Sequence, residues 1–270
     1  MDPGDKLAKD MREIQIAFFD IDGTLVDMDW KQMTETMRQT LIALHEKGIL
    51  LVIATGRPPF RVPVFKGVSF DAYMTFNGSY CYDKEGTLIH SQCIPSAEVS
   101  RIIANSAEIH HPCAVAGKDR IVCNGADQNL IDYFAISGQT LKKNEDFDLV
   151  LRNEDVYQIM CGCVREEYDT ILKDVSGAEI TAWWPRAVDI IPKGSGKNIG
   201  VEKILSFFHV SRDHAIAFGD GGNDIPMLKC VGMGVAMGNS SEDVKAAVPY
   251  QCPSVKEEGI TRFFRELNIL

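Results

Sequence analysis

The chain has 270 residues, 45% hydrophobic and 24% charged, a composition that suits a globular enzyme of two ordinary domains or one large one. Its 28 basic against 38 acidic residues leave a net charge of −10 with no long basic run, which argues against nucleic acid or an anionic membrane as a partner. No apolar stretch approaches the roughly 18 residues of a spanning helix, and the polar start, read as a leader over 1–12, points to a cytoplasmic protein.

The first apolar run opens at Ile16, carries Asp20 and Asp22 at its carboxyl end and breaks at Gly23, the pattern of a buried strand closed by a turn. If the strand stays extended through Asp22, both carboxylates point one way and Ile21 the other. Two acids in one pocket repel and need a cation or a proton. That need suits a Mg²⁺ site in which one carboxylate attacks and the other moves protons.

Helical spacing follows over 30–47, with Met33, Met37, Leu41 and Leu44 on one face and Gly48 as the stop. A second strand, 49–54, ends in Thr55-Gly56-Arg57, and Pro58-Pro59 then signals a short helix. The third strand, 72–76, closes on Asn77-Gly78. Strand–helix alternation of this kind predicts a doubly wound parallel sheet.

From 79 to 185 the pattern shifts to short strands (80–94, 120–122, 158–164) and helices (96–109, 128–136, 166–174). An insertion of this size reads as a second, α/β domain. The first style returns with 188–192, the Lys193–Lys197 turn and a helix to Phe208. A strand at 215–218 then delivers Gly219-Asp220-Gly221-Gly222-Asn223-Asp224. Helix 225–230, strand 234–237 and helices 242–247 and 259–267 complete the pattern, giving core 13–80, inserted domain 81–185 and core 186–270. The eight cysteines include no C-x-x-C pair and read as small buried thiols.

Four polar clusters thus sit where a strand or loop hands over to a helix, and clusters at carboxyl ends of different strands can meet in one crevice. Taken singly, Asp20 or Asp224 could be a helix-end acid, Thr55-Gly56 a turn and Lys197 a solvated lysine. Together they suit phosphoryl transfer. A carboxylate nucleophile meets charge repulsion from phosphate, which a divalent cation and a lysine offset. Asp20 and Asp220 offer hard oxygen ligands. The Thr55 hydroxyl and the N–H groups of Ile21, Gly56 and Asn223 can hold phosphate oxygens. Asp22 can protonate the leaving alkoxide and later deprotonate water, with an aspartyl-phosphate between the two steps.

With those residues in place, the chain resembles the haloacid-dehalogenase-like (HAD) superfamily, in its Cof-like sugar-phosphatase branch. The resemblance is carried by Phe19-Asp20-Ile21-Asp22-Gly23-Thr24-Leu25, Ala54-Thr55-Gly56-Arg57, Lys197 and Gly219-Asp220-Gly221-Gly222-Asn223-Asp224, in that order. It implies a Rossmann-like core with an inserted α/β cap. It implies Asp20 as nucleophile and metal ligand, and Asp22 as acid/base with its backbone carbonyl on the metal. Phosphate is implied at Thr55, Gly56, Lys197, the Ile21 backbone and the Asn223 side chain. Asp220 completes the metal ligands with Asp224 in support, so the implied Mg²⁺ set is Asp20, Asp22, Asp220 and Asp224. Because Asp22 is present, dehalogenation is disfavoured. The chain departs from the branch at Asn198, where a glycine usually follows the lysine, and Lys193 competes with Lys197 for the lysine's role.

The expected activity is Mg²⁺-dependent hydrolysis of small phosphorylated metabolites, sugar phosphates first. Phosphomutase or phosphotransferase chemistry of the same superfamily and a non-enzymatic phospho-acceptor module stay open beside it. Arg57 is placed at the phosphate, at the substrate's polar end or in a structural ion pair, and Asn77 at the substrate or in an ordinary tight turn. Trp183-Trp184-Pro185 offers either an aromatic wall to a sugar or plain packing. His110 and His111 are read as solvent-facing.

Overall fold

A computed structural model describes residues 14–29, 32–136 and 138–270. The expected leader therefore lies outside the described residues, as do Trp30 and Lys31 at the start of the first expected helix. The chain forms two compact units. One takes in the chain up to Gly56, Pro63–His90 and Gly196–Leu270; the other takes in Arg57–Val62 and Ser91–Ser195.

The first unit opens with β1 (Ile16–Phe19), four apolar residues all fully buried. Helix α1 (Glu35–Glu46) starts where the Thr34 hydroxyl accepts the Met37 N–H at 3.1 Å, an N-cap that satisfies an otherwise orphaned donor. Strands β2 (Leu50–Ala54) and β3 (Ala72–Thr75) follow, and Pro59–Arg61 forms the short helix expected after Pro58 as a single 3₁₀ turn. The chain then doubles back through β4 (Tyr80–Asp83) and β5 (Leu88–Ser91).

Strand β4 pairs antiparallel with β3, Met74 opposite Cys81. Residues 81–90, expected to begin the inserted domain, belong to the first unit, with β4 and β5 at the edge of its sheet.

The second unit holds α2 (Ser96–Glu108), β6 (Cys113–Ala116), β7 (Ile121–Cys123), α3 (Gln128–Ile136), α4 (Phe147–Asn153), β8 (Gln158–Cys161), α5 (Tyr168–Ile171), β9 (Ala178–Trp184) and β10 (Ala187–Pro192). Its sheet runs β7-β6-β8-β10-β9 with antiparallel pairing throughout. Strand β10 was expected in the core. It is buried along its whole length like a core strand, and an apolar run does not encode which strand it will pair with. The second unit therefore ends at Ser195 rather than 185.

One face of this sheet packs Cys113, Val115, Ile159, Cys161, Val188 and Ile190 against Ile102, Val150 and Ile171 of the helices. Asp189, on the opposite face by alternation, accepts the Tyr133 hydroxyl at 2.6 Å. The thiols of Cys113, Cys161 and Cys163 are free and buried, as the spacing suggests. At the neck of the unit, Gln92 Nε2 donates to the Lys193 carbonyl at 2.9 Å, so entry and exit of the chain are adjacent.

The chain returns to the first unit with α6 (Lys197–Phe208), β11 (Ala215–Gly219), α7 (Ile225–Cys230), β12 (Met233–Ala236), α8 (Glu242–Ala247), β13 (Tyr250–Gln251) and α9 (Gly259–Glu266). Helix α6 begins at Lys197 with Asn198 inside its first turn, so the missing glycine does not disturb the helix start. The sheet order is β13-β12-β11-β1-β2-β3-β4-β5, parallel from β13 to β3. On one face Val201, Ile204, Met227 and Val244 cover Phe18, Val52 and Met74. On the other, Phe19 stacks on Phe218 at 5.6 Å and Phe218 meets Phe263 and Phe264 of α9. Helices on both faces and a strand order that reverses at β1 make a doubly wound fold, whose ligand crevice lies at the carboxyl end of the switch strand. No helix among the described residues is long and apolar enough to cross a membrane.

His111 departs from the solvent-facing expectation. Its Nδ1 lies 3.1 Å from Asp127 and its Nε2 3.1 Å from Glu167. Burial alone would lower its pKa, but the two carboxylates outweigh burial and hold it raised. A raised folded-state value means that the contribution to stability is complete below the unfolded pKa of about 6.5 and fades as pH rises through the folded one. The wild-type thermal midpoint is expected to lose a component between about pH 6 and about pH 8 that His111→Gln lacks, measured by thermal denaturation across that range.

Candidate active site

The site begins one residue past β1. The strand ends at Phe19, and Ile21 O accepts the N–H groups of Thr24, Leu25 and Val26 at 3.3, 3.0 and 2.9 Å. Asp20 and Asp22 therefore leave the sheet in a tight turn, and strand alternation does not set where they point. Gly23 has φ +91°, and a Cβ there would lie 2.2 Å from Asp220 Oδ2. Only a residue without a side chain allows this turn and the Asp220 carboxylate to meet. Asn239 Nδ2 pins the turn from outside by donating to Gly23 O at 2.8 Å.

Lys197, the first residue of α6, is 1% exposed. Its Nζ donates to Asp20 Oδ1 at 2.7 Å, to Asp224 Oδ1 at 2.5 Å and to the Ala54 carbonyl at 2.8 Å. An ammonium has three donors, so all are used. Asp224 in turn accepts the N–H groups of Asp220 and Gly221 on Oδ2, at 3.0 and 2.9 Å. Both of its oxygens are committed to shaping the loop after β11. The Thr24 hydroxyl donates to Asp220 Oδ1 at 2.9 Å. Oδ2 of Asp20 and Oδ2 of Asp220 receive no hydrogen bond among the described residues.

Burial raises Asp20 well above the usual carboxylate range; Lys197 opposes this, while Asp224, Asp220 and Asp22 add to it. Burial, seconded by Asp224, pushes Asp220 up to about 7. Lys197 would be lowered by burial, but Asp20 and Asp224 hold it raised and protonated. One ammonium cannot neutralise three carboxylates whose oxygens lie within 4.8 Å of one another. A cluster of hard oxygen donors with surplus negative charge fits a small divalent cation.

The other expected residues join this cluster in part. Thr55, 1% exposed, donates its N–H to Met74 O at 2.9 Å, and its carbonyl accepts the Asn77 N–H at 3.1 Å. Asn223 Nδ2 donates to Asn77 Oδ1 at 3.0 Å, and Gly56 lies against the Asn77 amide. Asp22 is half-buried and raises both Asp20 and Asp220, although its carboxylate is not among the three clustered acids.

Arg57 belongs to the second unit, where its Nη1 donates to Arg61 O at 3.2 Å. Lys193 is exposed in the turn after β10, which leaves Lys197 as the lysine of the cluster. Trp184 lies 4.3 Å beneath the Arg186 guanidinium and lines a cavity of about 380 Å³ with Arg165, Tyr168, Ala182 and Pro185. The Trp183 side chain lies outside the described residues. Sequence reasoning missed the structural parts of Thr24 and Asn239, since nothing local names a partner some two hundred residues away.

A model of the haloacid dehalogenase-like hydrolases matches residues 17–264. The chain is 29% identical over 257 residues to YkrA of Bacillus subtilis (strain 168), named as a candidate phosphatase, covering 95% of this chain and 98% of that one. It is 29% identical over 263 residues to the 5-amino-6-(5-phospho-D-ribitylamino)uracil phosphatase YitU of the same organism, covering 92% and 95%. Among solved structures, the HAD subclass IIB sugar phosphatase BT4131 superposes with a TM-score of 0.83 at 31% identity, covering 95% of this chain and all of that one.

Two substitutions test the cluster. Lys197→Met leaves buried carboxylates uncompensated and is expected to destabilise the protein by about 3–5 kcal/mol, read from urea unfolding at neutral pH. Gly23→Ala forces the Asp220 carboxylate aside. It is expected to weaken Mg²⁺ binding by more than about tenfold in calorimetry while the far-ultraviolet spectrum keeps its wild-type shape.

Proposed function

The chain belongs to the haloacid dehalogenase-like hydrolase family as one of its phosphatases, and on that premise we propose that its substrates are small phosphate monoesters, sugar and polyol phosphates first, hydrolysed through a phosphorylated Asp20. One observation carries the reading: Lys197 holds Oδ1 of Asp20 and leaves Oδ2 without a hydrogen bond at the carboxyl end of the switch strand. A carboxylate fixed at one oxygen is oriented to attack with the other. Support for the substrate class comes from YitU and BT4131, whose names give a phosphoribityl compound and sugar phosphates.

Asp20 Oδ2 forms the new bond to phosphorus as the ester oxygen departs, and Asp22 gives that oxygen its proton. Asp22 then takes a proton from water, the water oxygen bonds to phosphorus, and the bond to Asp20 breaks. Thr55, the backbone at Ile21 and Gly56, and Asn223 bind the phosphoryl oxygens, with Lys197 positioning the nucleophile. Asp20 and Asp220, with the Asp22 carbonyl, would hold Mg²⁺, which would supply charge neutralisation between carboxylate and phosphate. Asp224 steadies the loop that presents Asp220.

Asp20→Asn should lower turnover by a factor on the order of 10⁴–10⁶ with the thermal midpoint kept within a few degrees. A panel of phosphate esters assayed for free phosphate, with Mg²⁺ and with chelator, measures this. Activity retained by Asp20→Asn, or wild-type turnover undiminished by chelator, contradicts the reading. Interconversion of sugar-phosphate isomers without phosphate release would move it to a mutase.

A further inference from the structure

The turn after β3 holds two non-glycine residues at positive φ. Phe76 and Asn77 have φ of 50° and 53°, and Gly78 follows at 97°. Bulky residues at positive φ are outliers, and such strain concentrates where a site needs it. Here it folds the Asn77 side chain back over the loop that follows β2. A Cβ on Gly56 would lie 3.1 Å from Asn77 Nδ2 and 3.2 Å from Oδ1, so the amide rests directly on Gly56.

The amide has a defined orientation. Its Oδ1 accepts Asn223 Nδ2 at 3.0 Å, which turns Nδ2 away from Asn223. That Nδ2 is buried, on a residue 3% exposed, and has no hydrogen-bond partner among the described residues. A buried donor without an acceptor is costly and rare. Asn77 thus touches Gly56 through its amide, Thr55 through its backbone N–H and Asn223 through Oδ1, the groups to which the phosphate is assigned above. An anionic oxygen in that position would supply the acceptor it lacks.

We propose that Asn77 is a phosphoryl-binding residue: its Nδ2 donates to a non-bridging oxygen of the substrate phosphate, while its Oδ1 holds Asn223 in register for the same group. The inference rests on the phosphatase reading of the site. An ordinary Asn-Gly turn would need the left-handed backbone but not the amide, and this difference makes the two separable.

Asn77→Gly keeps the backbone conformation and deletes the amide; Asn77→Asp keeps the shape and removes the donor. Inorganic phosphate and orthovanadate are titrated into each Mg²⁺-loaded protein by calorimetry, beside Mg²⁺ alone and the thermal midpoint. The expected result is a loss of anion affinity and of kcat/KM of about 10–100-fold. Mg²⁺ affinity should stay at the wild-type value, and the Asn77→Gly midpoint should be unchanged or raised. Wild-type anion affinity and kcat/KM in Asn77→Gly would overturn the inference, as would parallel losses of Mg²⁺ and anion binding. Should Asn77→Gly fail to fold, Asn77→Asp decides by the same titrations. A wild-type protein that binds orthovanadate yet cleaves no ester of the panel would count against the phosphatase reading, and the anion titrations would still decide Asn77.

Discussion

The dry ammonium of Lys197 is the interaction on which the arrangement of the candidate site depends. Placing a charge away from water is costly, and it is tolerated here because each of its three protons meets an oxygen. Those oxygens come from the end of β1, the end of β2 and the start of α7, and the lysine itself from the start of α6. Four elements distant in sequence therefore have to arrive at one point together. The same contact orients Asp20, since the ammonium occupies one carboxylate oxygen and leaves the other without a hydrogen bond.

Around that point the parallel sheet and the absence of side chains act jointly. The order of strands reverses at β1, so loops from both sides open on one crevice. The turn after β1 can approach the loop after β11 because Gly23 has no Cβ to strike Asp220. Asp224 then fixes the second loop by taking two of its backbone N–H groups. Negative charge gathers where positive charge is short. A small divalent cation would offset that surplus.

What was legible in the sequence was local. A strand ending in acids, a threonine-glycine turn and a glycine-rich acidic loop each announce themselves within a few residues, and these became β1, β2, β11 and their following loops. Pairing was not legible. Val188–Pro192 carries the same apolar signal as a core strand, yet it joins the antiparallel sheet. Residues 81–90 looked like the start of new architecture but complete the old one. Strands β6 and β9 went unread because four residues of Cys-Ala-Val-Ala and a run broken by Glu179 and Thr181 give little periodicity. The bonds from Thr24 to Asp220 and from Asn77 to Asn223 lay beyond sequence reasoning for another reason. Each joins residues separated by well over a hundred positions, and neither residue type by itself names a partner.

The hydrogen bond between Gln92 and the carbonyl of Lys193 ties the way into the antiparallel unit to the way out. A segment whose two ends meet can be exchanged as a cassette, because the host chain sees only a short closed gap whatever fills it. Lineages descended from such a scaffold are free to trade inserted units by recombination at that gap, leaving the lysine-centred cluster in the host untouched.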